Sequence, residues 1–160
     1  MRAGCHRAAA LLILAAVALA ATGCGGSSAP TRATYGKKVD KLCATLDDRV
    51  SAIQKQAPST TEELVDFADQ LEKVIDDGVR QLSEVKRPDG ADGDKADAWI
   101  KELTRQKDQA IKPALADLKK AAQSKDTAAI QRAVKRIQQV DENKVDQLAR
   151  AAGARSCGSA

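Results

Sequence analysis

The chain has 160 residues, enough for one domain with a real core, and carries 26 basic against 22 acidic side chains for a net charge of +4. Apolar residues make up 43% of it but aromatic ones only 2%, and alanine, leucine, lysine and glutamine, all good helix formers, dominate. So near-balanced a charge argues against a nucleic-acid partner, and the scarcity of aromatic and β-branched runs points to an all-α chain.

The first segment reads as a targeting signal rather than as part of a fold. Arg2, His6 and Arg7 form a short basic region, and Ala8 to Ala21 then run without a charge. A helix crossing a hydrocarbon core of about 30 Å needs about twenty apolar residues. This run is shorter, which suits a secretory signal better than a retained membrane helix. Two processing sites compete. Ala18-Leu19-Ala20 fits a small-x-small site that would release a soluble secreted product near Ala20. Ala21-Thr22-Gly23-Cys24 resembles a lipobox, although Ala21 stands where bacterial lipoboxes most often carry leucine. On that reading Cys24 takes a diacylglyceryl group and becomes the new N-terminus. Residues 25–33 are small and polar, with Pro30 among them, and such a tether has an r.m.s. reach of about 15 to 18 Å. The expected organisation is therefore a signal peptide at 1–23, a tether at 24–33 and a helical domain at 34–160. The domain would sit close to the outer face of the cell membrane.

Four helical segments follow. Tyr35, Val39, Leu42, Leu46, Val50 and Ile53 recur at steps of three and four, predicting a first helix from about Thr34 to Gln56 that stops at Ala57-Pro58. Ser59 with Glu62 three residues on reads as the capping pair of a second helix. Its face is Leu64, Phe67, Leu71, Val74, Ile75, Gly78, Leu82 and Val85, and Arg87-Pro88-Asp89-Gly90 stops it. A third helix is expected from Asp94, as cap, to about Ser124. Its stripe of Ala96, Trp99, Ile100 and Leu103 is interrupted by Gln106 and Lys107 before Ala110, Ile111, Ala114, Leu115 and Leu118. Pro113 lies inside it and leaves the Gln109 carbonyl without its helical donor, so a kink is expected near Gln109 to Lys112. Asp126 caps a fourth helix carrying Ile130, Val134, Ile137, Val140, Val145 and Leu148, ended by Gly153. The stripe drifts between Val140 and Val145. The architecture these segments suggest is an antiparallel four-helix bundle, whose connectivity puts the start of helix one and the end of helix four at the same end.

Cysteine usage fits export. Cys5 falls in the signal and Cys24 in the lipobox, leaving Cys43 and Cys157, one near each end of the domain. After export these read as a disulfide, the alternative being two unpaired buried thiols. The processing also removes chemistry. His6 is the only histidine, so a chain beginning at Cys24 has no Ser-His or Cys-His pair, no Glu-x-x-His di-iron site and no histidine haem ligand. Asp89, Asp92 and Asp94 lack the order and downstream glutamate of an EF-hand loop. Adjacent pairs such as Asp47-Asp48 and Asp76-Asp77 diverge on a helix. No cofactor, no metal site and no catalytic residues are expected, and the chain is read as a non-enzyme.

Several landmarks together carry a resemblance. They are the lipobox, Tyr35-Gly36-Lys37-Lys38-Val39-Asp40-Lys41-Leu42-Cys43, Val85-Lys86-Arg87-Pro88, Ala96-Asp97-Ala98-Trp99, and Ala152-Gly153-Ala154-Arg155-Ser156-Cys157-Gly158. The chain thereby resembles small helical lipoproteins and secreted proteins of high-GC actinobacteria. The resemblance implies a four-helix fold and a cysteine pair from the first helix to the C-terminus. It implies no catalytic residues.

Charge distribution is the last signal. Residues 59–94 hold four basic and eleven acidic side chains, whereas 95–155 hold fourteen basic and eight acidic. Neighbouring helices would then neutralise one another in solvent. Alternatively, Lys119, Lys120, Lys125, Arg132, Lys135 and Arg136 form a patch for an anionic lipid or an acidic envelope polymer. The leading functional reading is a membrane-anchored helical module that binds a protein or other envelope partner. The second is a small-molecule carrier or sensor with an interhelical pocket near Trp99, Gln106 and the Pro113 bend.

Overall fold

Thr31 opens the first helix. It is extended at φ −66°, ψ 158°, and its hydroxyl accepts the Thr34 N–H at 3.2 Å, so a helical run begins as soon as the cap is satisfied. In this computed structural model residues 28–157, Glu142 excepted, are described; the signal, the lipobox and Cys24 lie outside them. Helix α1 (Arg32–Gln54) starts two residues before the expected Thr34, because the cap and not the first stripe residue sets the boundary. Helix α2 (Thr61–Glu84) is capped by Thr60 and Glu63 in a full capping box, one residue later than the expected Ser59 and Glu62. Three successive hydroxyl residues and two successive glutamates leave that register open in sequence. The structure resolves it by having one Glu63 carboxylate oxygen accept the Ser59 N–H, the Ser59 hydroxyl and the Thr60 N–H at 2.7, 2.7 and 3.2 Å.

Helix α3 (Ala91–Gln106) begins before the expected cap Asp94, which instead sits with Asp92 in the first turn, near the positive end of the helix. Gly90 takes the cap position at φ 61°, a left-handed conformation that only glycine enters without strain. The chain can therefore turn directly out of Pro88-Asp89. Where a kink was expected, the helix carries a π turn, Lys107–Ile111, in which the Lys112 N–H reaches back to the Lys107 carbonyl. Helix α4 (Lys112–Gln123) follows with Pro113 in its first turn, so the run from Ala91 to Gln123 is helical throughout. An extra residue in one turn accommodates a residue with no N–H of its own.

The fourth segment is two helices, not one. Asp126 caps α5 (Thr127–Gln138) by accepting the Ala129 N–H at 2.9 Å, and α6 (Asn143–Ala152) starts after a break. The five-residue step from Val140 to Val145 cannot keep a single face, and the break absorbs the mismatch. The stripe on α5 is also rotated from its expected setting: Ala133 is buried and Val134 is 36% exposed.

Apolar side chains gather in two clusters. One holds Tyr35, Val39, Cys43, Leu82, Ala96, Trp99, Ile100, Val145, Ala149, Ala152 and Ala154, drawn from α1, α3, α6 and the tail, with the end of α2. The other centres on Ala68, Leu115, Leu118 and Ala133, with Leu64, Leu71, Ile75, Ile111, Ile130 and Ile137 around it. The long α3–α4 rod thus serves one cluster with each half, and the π turn lies at their junction. Helices α5 and α6 each cover one half, which is why a break between them fits the core. Among the described residues the fold is all-α, without strands.

Polar pairs tie α2 to the rod. Lys119 meets Asp69 and Glu72, each at 2.8 Å; Lys112 meets Glu72 at 3.6 Å and Asp76 at 2.9 Å; Lys107 meets Asp76 at 3.1 Å. Ascending residues on α2 therefore meet descending residues on the rod. In a regular α-helix, residues five apart point in different directions. The π turn closes its hydrogen bond over five residues, bringing Lys107 and Lys112 onto the same Asp76.

Candidate functional site

The end of the molecule from which residues 28–31 emerge is built around the C-terminal tail. Helix α6 ends in a left-handed turn at Gly153, φ 100°, with the Gly153 N–H bonded to the Arg150 carbonyl at 3.1 Å and the Ala154 N–H to that of Ala149 at 3.0 Å. This double bond pattern is the Schellman ending. The tail then lies alongside α1 on three residues spaced i, i+4, i+7, which share a helix face. At the first, Gly36, a Cβ would fall 2.1 Å from the Gly153 carbonyl oxygen, so only glycine permits the approach. At the second, Asp40 accepts the successive Arg155 and Ser156 N–H groups, both at 2.8 Å. At the third, Cys43 is joined to Cys157 in a disulfide with Cα atoms 5.4 Å apart, across 114 positions of sequence. Arg32 adds a fourth tie by donating to the Arg150 carbonyl at 2.9 Å.

Beside this seat is a cleft of about 750 Å³ lined by Arg32, Ala33, Lys37, Asp40, Arg150, Gly153 and Arg155. Four cationic side chains and one carboxylate converge there, and the carboxylate is engaged by the tail amides. The sequence reading did not single out this cleft, because its residues come from the two ends of the domain. The one signal that could have found it is the combination of the cysteine pair with Arg32, Lys37, Arg150 and Arg155, all within eleven residues of a bridged cysteine.

The six basic residues predicted as a patch are only partly brought together. Lys120, Arg132 and Arg136 line a groove of about 370 Å³ between α4 and α5, with Asp117 and Asp126. Arg136 is ion-paired with Asp117, and Asp126 is the α5 cap. Lys119 points to α2 instead, where the hydrogen bonds it donates to Asp69 and then Glu72 raise its ammonium above the usual lysine range. Lys125 stands in the α4–α5 turn at φ 55°, and Lys135 is exposed in the last turn of α5.

Trp99, Gln106 and Pro113 are spread along the rod. Trp99 is fully buried in the first cluster. Gln106 is buried and donates from Nε2 to the Asp141 carbonyl at 2.6 Å. Its place in the stripe is thereby explained, since it satisfies a backbone group exposed by the α5–α6 break. Pro113 is half-buried in the first turn of α4, two residues past the π turn. Near Gln106, Glu102 is almost fully buried, bonded to Arg105 at 2.5 Å and to Lys144 at 3.2 Å. The Arg105 hydrogen bond foremost, then Lys144, lowers its carboxyl to about 2 against the opposing effect of desolvation. Tyr35 lies in the same cluster as Trp99. Burial raises its phenol, with Arg87 opposing and Asp97 adding to the shift.

Among the described residues no group of three or more histidine, cysteine, aspartate or glutamate side chains is arranged to hold a metal ion. No helix among them is long and apolar enough to cross a membrane. The chain matches no protein-family model, no curated protein and no solved structure.

Proposed function

We propose that the chain is an exported, lipid-anchored, non-catalytic helical module held at the outer face of the cell membrane, where it binds an envelope partner. The observation that carries this reading is the Cys43–Cys157 disulfide, since such bonds persist in oxidising compartments outside the cytoplasm. The signal-like N-terminus, the Ala21-Thr22-Gly23-Cys24 lipobox and the short tether supply the anchor. The bridge and the described start of the chain lie at one end of the domain, leaving its sides and far end for a partner. The opposed order of the ion pairs between α2 and the rod supports an antiparallel four-helix bundle as the architecture, with the fourth member broken in two. This arrangement agrees with the resemblance to helical actinobacterial lipoproteins.

Mass analysis of the N-terminal peptide of the processed protein tests the anchor. A diacylglyceryl thioether on Cys24 is expected; an unmodified terminus at Ala21 would overturn it. In-cell crosslinking followed by peptide identification tests the binding role, for which a recurrent envelope partner is expected. Crosslinks that only mirror protein abundance would count against it.

A further inference from the structure

We propose that the cleft between the start of α1 and the end of α6 binds a phosphate-bearing anion, the headgroup of an acidic membrane lipid. Among the described residues three concavities are lined by more basic than acidic side chains, this cleft, the α4–α5 groove and one of about 470 Å³ holding Lys38 and Lys86, and the cleft gathers the most cations. The α4–α5 groove sets Lys120, Arg132 and Arg136 against Asp117 and Asp126, and its Arg136 is already paired with Asp117. The cleft sets Arg32, Lys37 and Arg155 against Asp40, with Arg150 on its wall carrying interactions of its own. The excess positive charge is therefore greater in the cleft, in twice the volume: about 750 against about 370 Å³.

Local geometry adds to the side chains. Ala33, on the cleft wall, belongs to the first turn of α1, whose N–H groups and helix dipole present partial positive charge. That turn contains no acidic residue to neutralise it. Guanidinium groups match phosphate oxygens through paired N–H donors, and a lysine contributes a point charge. The walls are held in place by the Gly36–Gly153 contact, the Asp40 clamp and the disulfide, so an anion would enter a largely formed site. A phosphate held there would also fix how the domain stands on the membrane, which a tether with about 15 to 18 Å of reach leaves open.

The lipid as source of the phosphate rests on the membrane-anchor reading, whereas the cleft itself does not. The full chain in neutral detergent would be titrated with dihexanoylphosphatidylglycerol, dihexanoylphosphatidylcholine and inorganic phosphate, following backbone amide shifts by NMR. The acidic lipid should move the amides of residues 32–40 and 150–156 saturably, and the zwitterionic lipid should do so at least tenfold more weakly. Lys37→Gln with Arg155→Gln should weaken the response at least tenfold. Lys120→Gln with Arg132→Gln, which removes the same charge, should leave it within twofold. Lys37→Gln alone, at an exposed helical position, is the fallback if the pair disturbs the tail, and a threefold or greater loss is expected. Equal binding of inorganic phosphate would keep the site and overturn the lipid as its source. Absence of a saturable response, or equal losses in the two double variants, would overturn the cleft. An unmodified Cys24 beside a responsive cleft would remove only the anchor.

Discussion

Single residues decide the tail end of the molecule. Gly36 admits the Gly153 backbone where a Cβ would stand 2.1 Å from a carbonyl oxygen and 2.7 Å from its carbon. Backbone cannot rotate away as a side chain can, so Gly36→Ala is expected to destabilise by about 3 kcal/mol, the upper part of the range for overpacking. Gly78→Ala meets only the methyl ends of Leu46 at 2.8 Å, which can change rotamer, and a smaller loss is expected. Urea unfolding of the two variants side by side checks the order; a Gly78→Ala loss as large as that of Gly36→Ala would refute the backbone argument. Lys125 presents the opposite case. It occupies a left-handed position at φ 55°, in a turn where its N–H bonds the Ala122 carbonyl at 3.0 Å and the Asp126 N–H bonds that of Ala121 at 3.0 Å. This is a Schellman ending with lysine where glycine usually stands. Relief of left-handed strain should exceed the unfolded-state entropy that glycine adds, so Lys125→Gly is expected to stabilise by about 0.5 to 1 kcal/mol. A lowered urea midpoint would contradict this.

At the level of elements, polar residues inside the third stripe explain how the rod meets its neighbours. Gln106 closes the α5–α6 break, Lys107 joins Lys112 on Asp76, and Glu102 binds Arg105 and Lys144 between α3 and α6. Their energetic consequence is a dependence on pH. The Glu102 carboxyl is lowered to about 2 in the folded chain, while the unfolded group titrates near about 4.3. A depressed carboxyl stabilises the fold above its unfolded value, and that contribution is lost as pH falls through the folded one. Stability should therefore decline between about pH 4 and pH 2. Asp76, lowered by Lys112 and then Lys107, adds in the same direction. Urea midpoints across this window should fall less steeply for Glu102→Gln than for the parent chain. Parallel curves would show that Glu102 carries none of the dependence.

For the molecule as a whole, the disulfide spans 114 positions and joins the first helix to the tail. In the chain-entropy model a loop of this length contributes about 4 to 5 kcal/mol by restricting the unfolded chain. Cys43→Ser with Cys157→Ser is expected to lose most of that, measured as the drop in unfolding free energy relative to the oxidised protein. The amides of Arg155 and Ser156 should then exchange faster, since the covalent tie next to them would be gone and the Asp40 clamp would open more often. Unchanged stability in the double variant would mean that the two clusters and the Asp40 clamp hold the tail without the bridge. The effect should be felt mainly in the first cluster, where the buried Ala152 and Ala154 lie beside the bridge.

Much of this fold was legible in the sequence. Helix periodicity, the Asp126 cap, the breaks at Ala57-Pro58 and Arg87-Pro88, and the pairing of Cys43 with Cys157 all follow from local pattern or from counting, because a helix face and a cap are defined within a few residues. Tertiary structure decided the rest. The register of the capping box at Thr60 and Glu63 depended on which carboxylate could serve three donors at once. The π turn near Pro113, where a kink was expected, could not be read locally, and it puts Lys107 and Lys112 on the same Asp76 of another helix. The fourth stripe broke because the two halves of the rod require separate covers, and Val134 turned outward with it. The cleft was hidden for the same reason: Arg32 and Lys37 become neighbours of Arg150 and Arg155 only when the tail lies down on Gly36, Asp40 and Cys43. Local sequence determines which segments are helices, but charges more than a hundred residues apart acquire a common purpose only through the packing that brings them together.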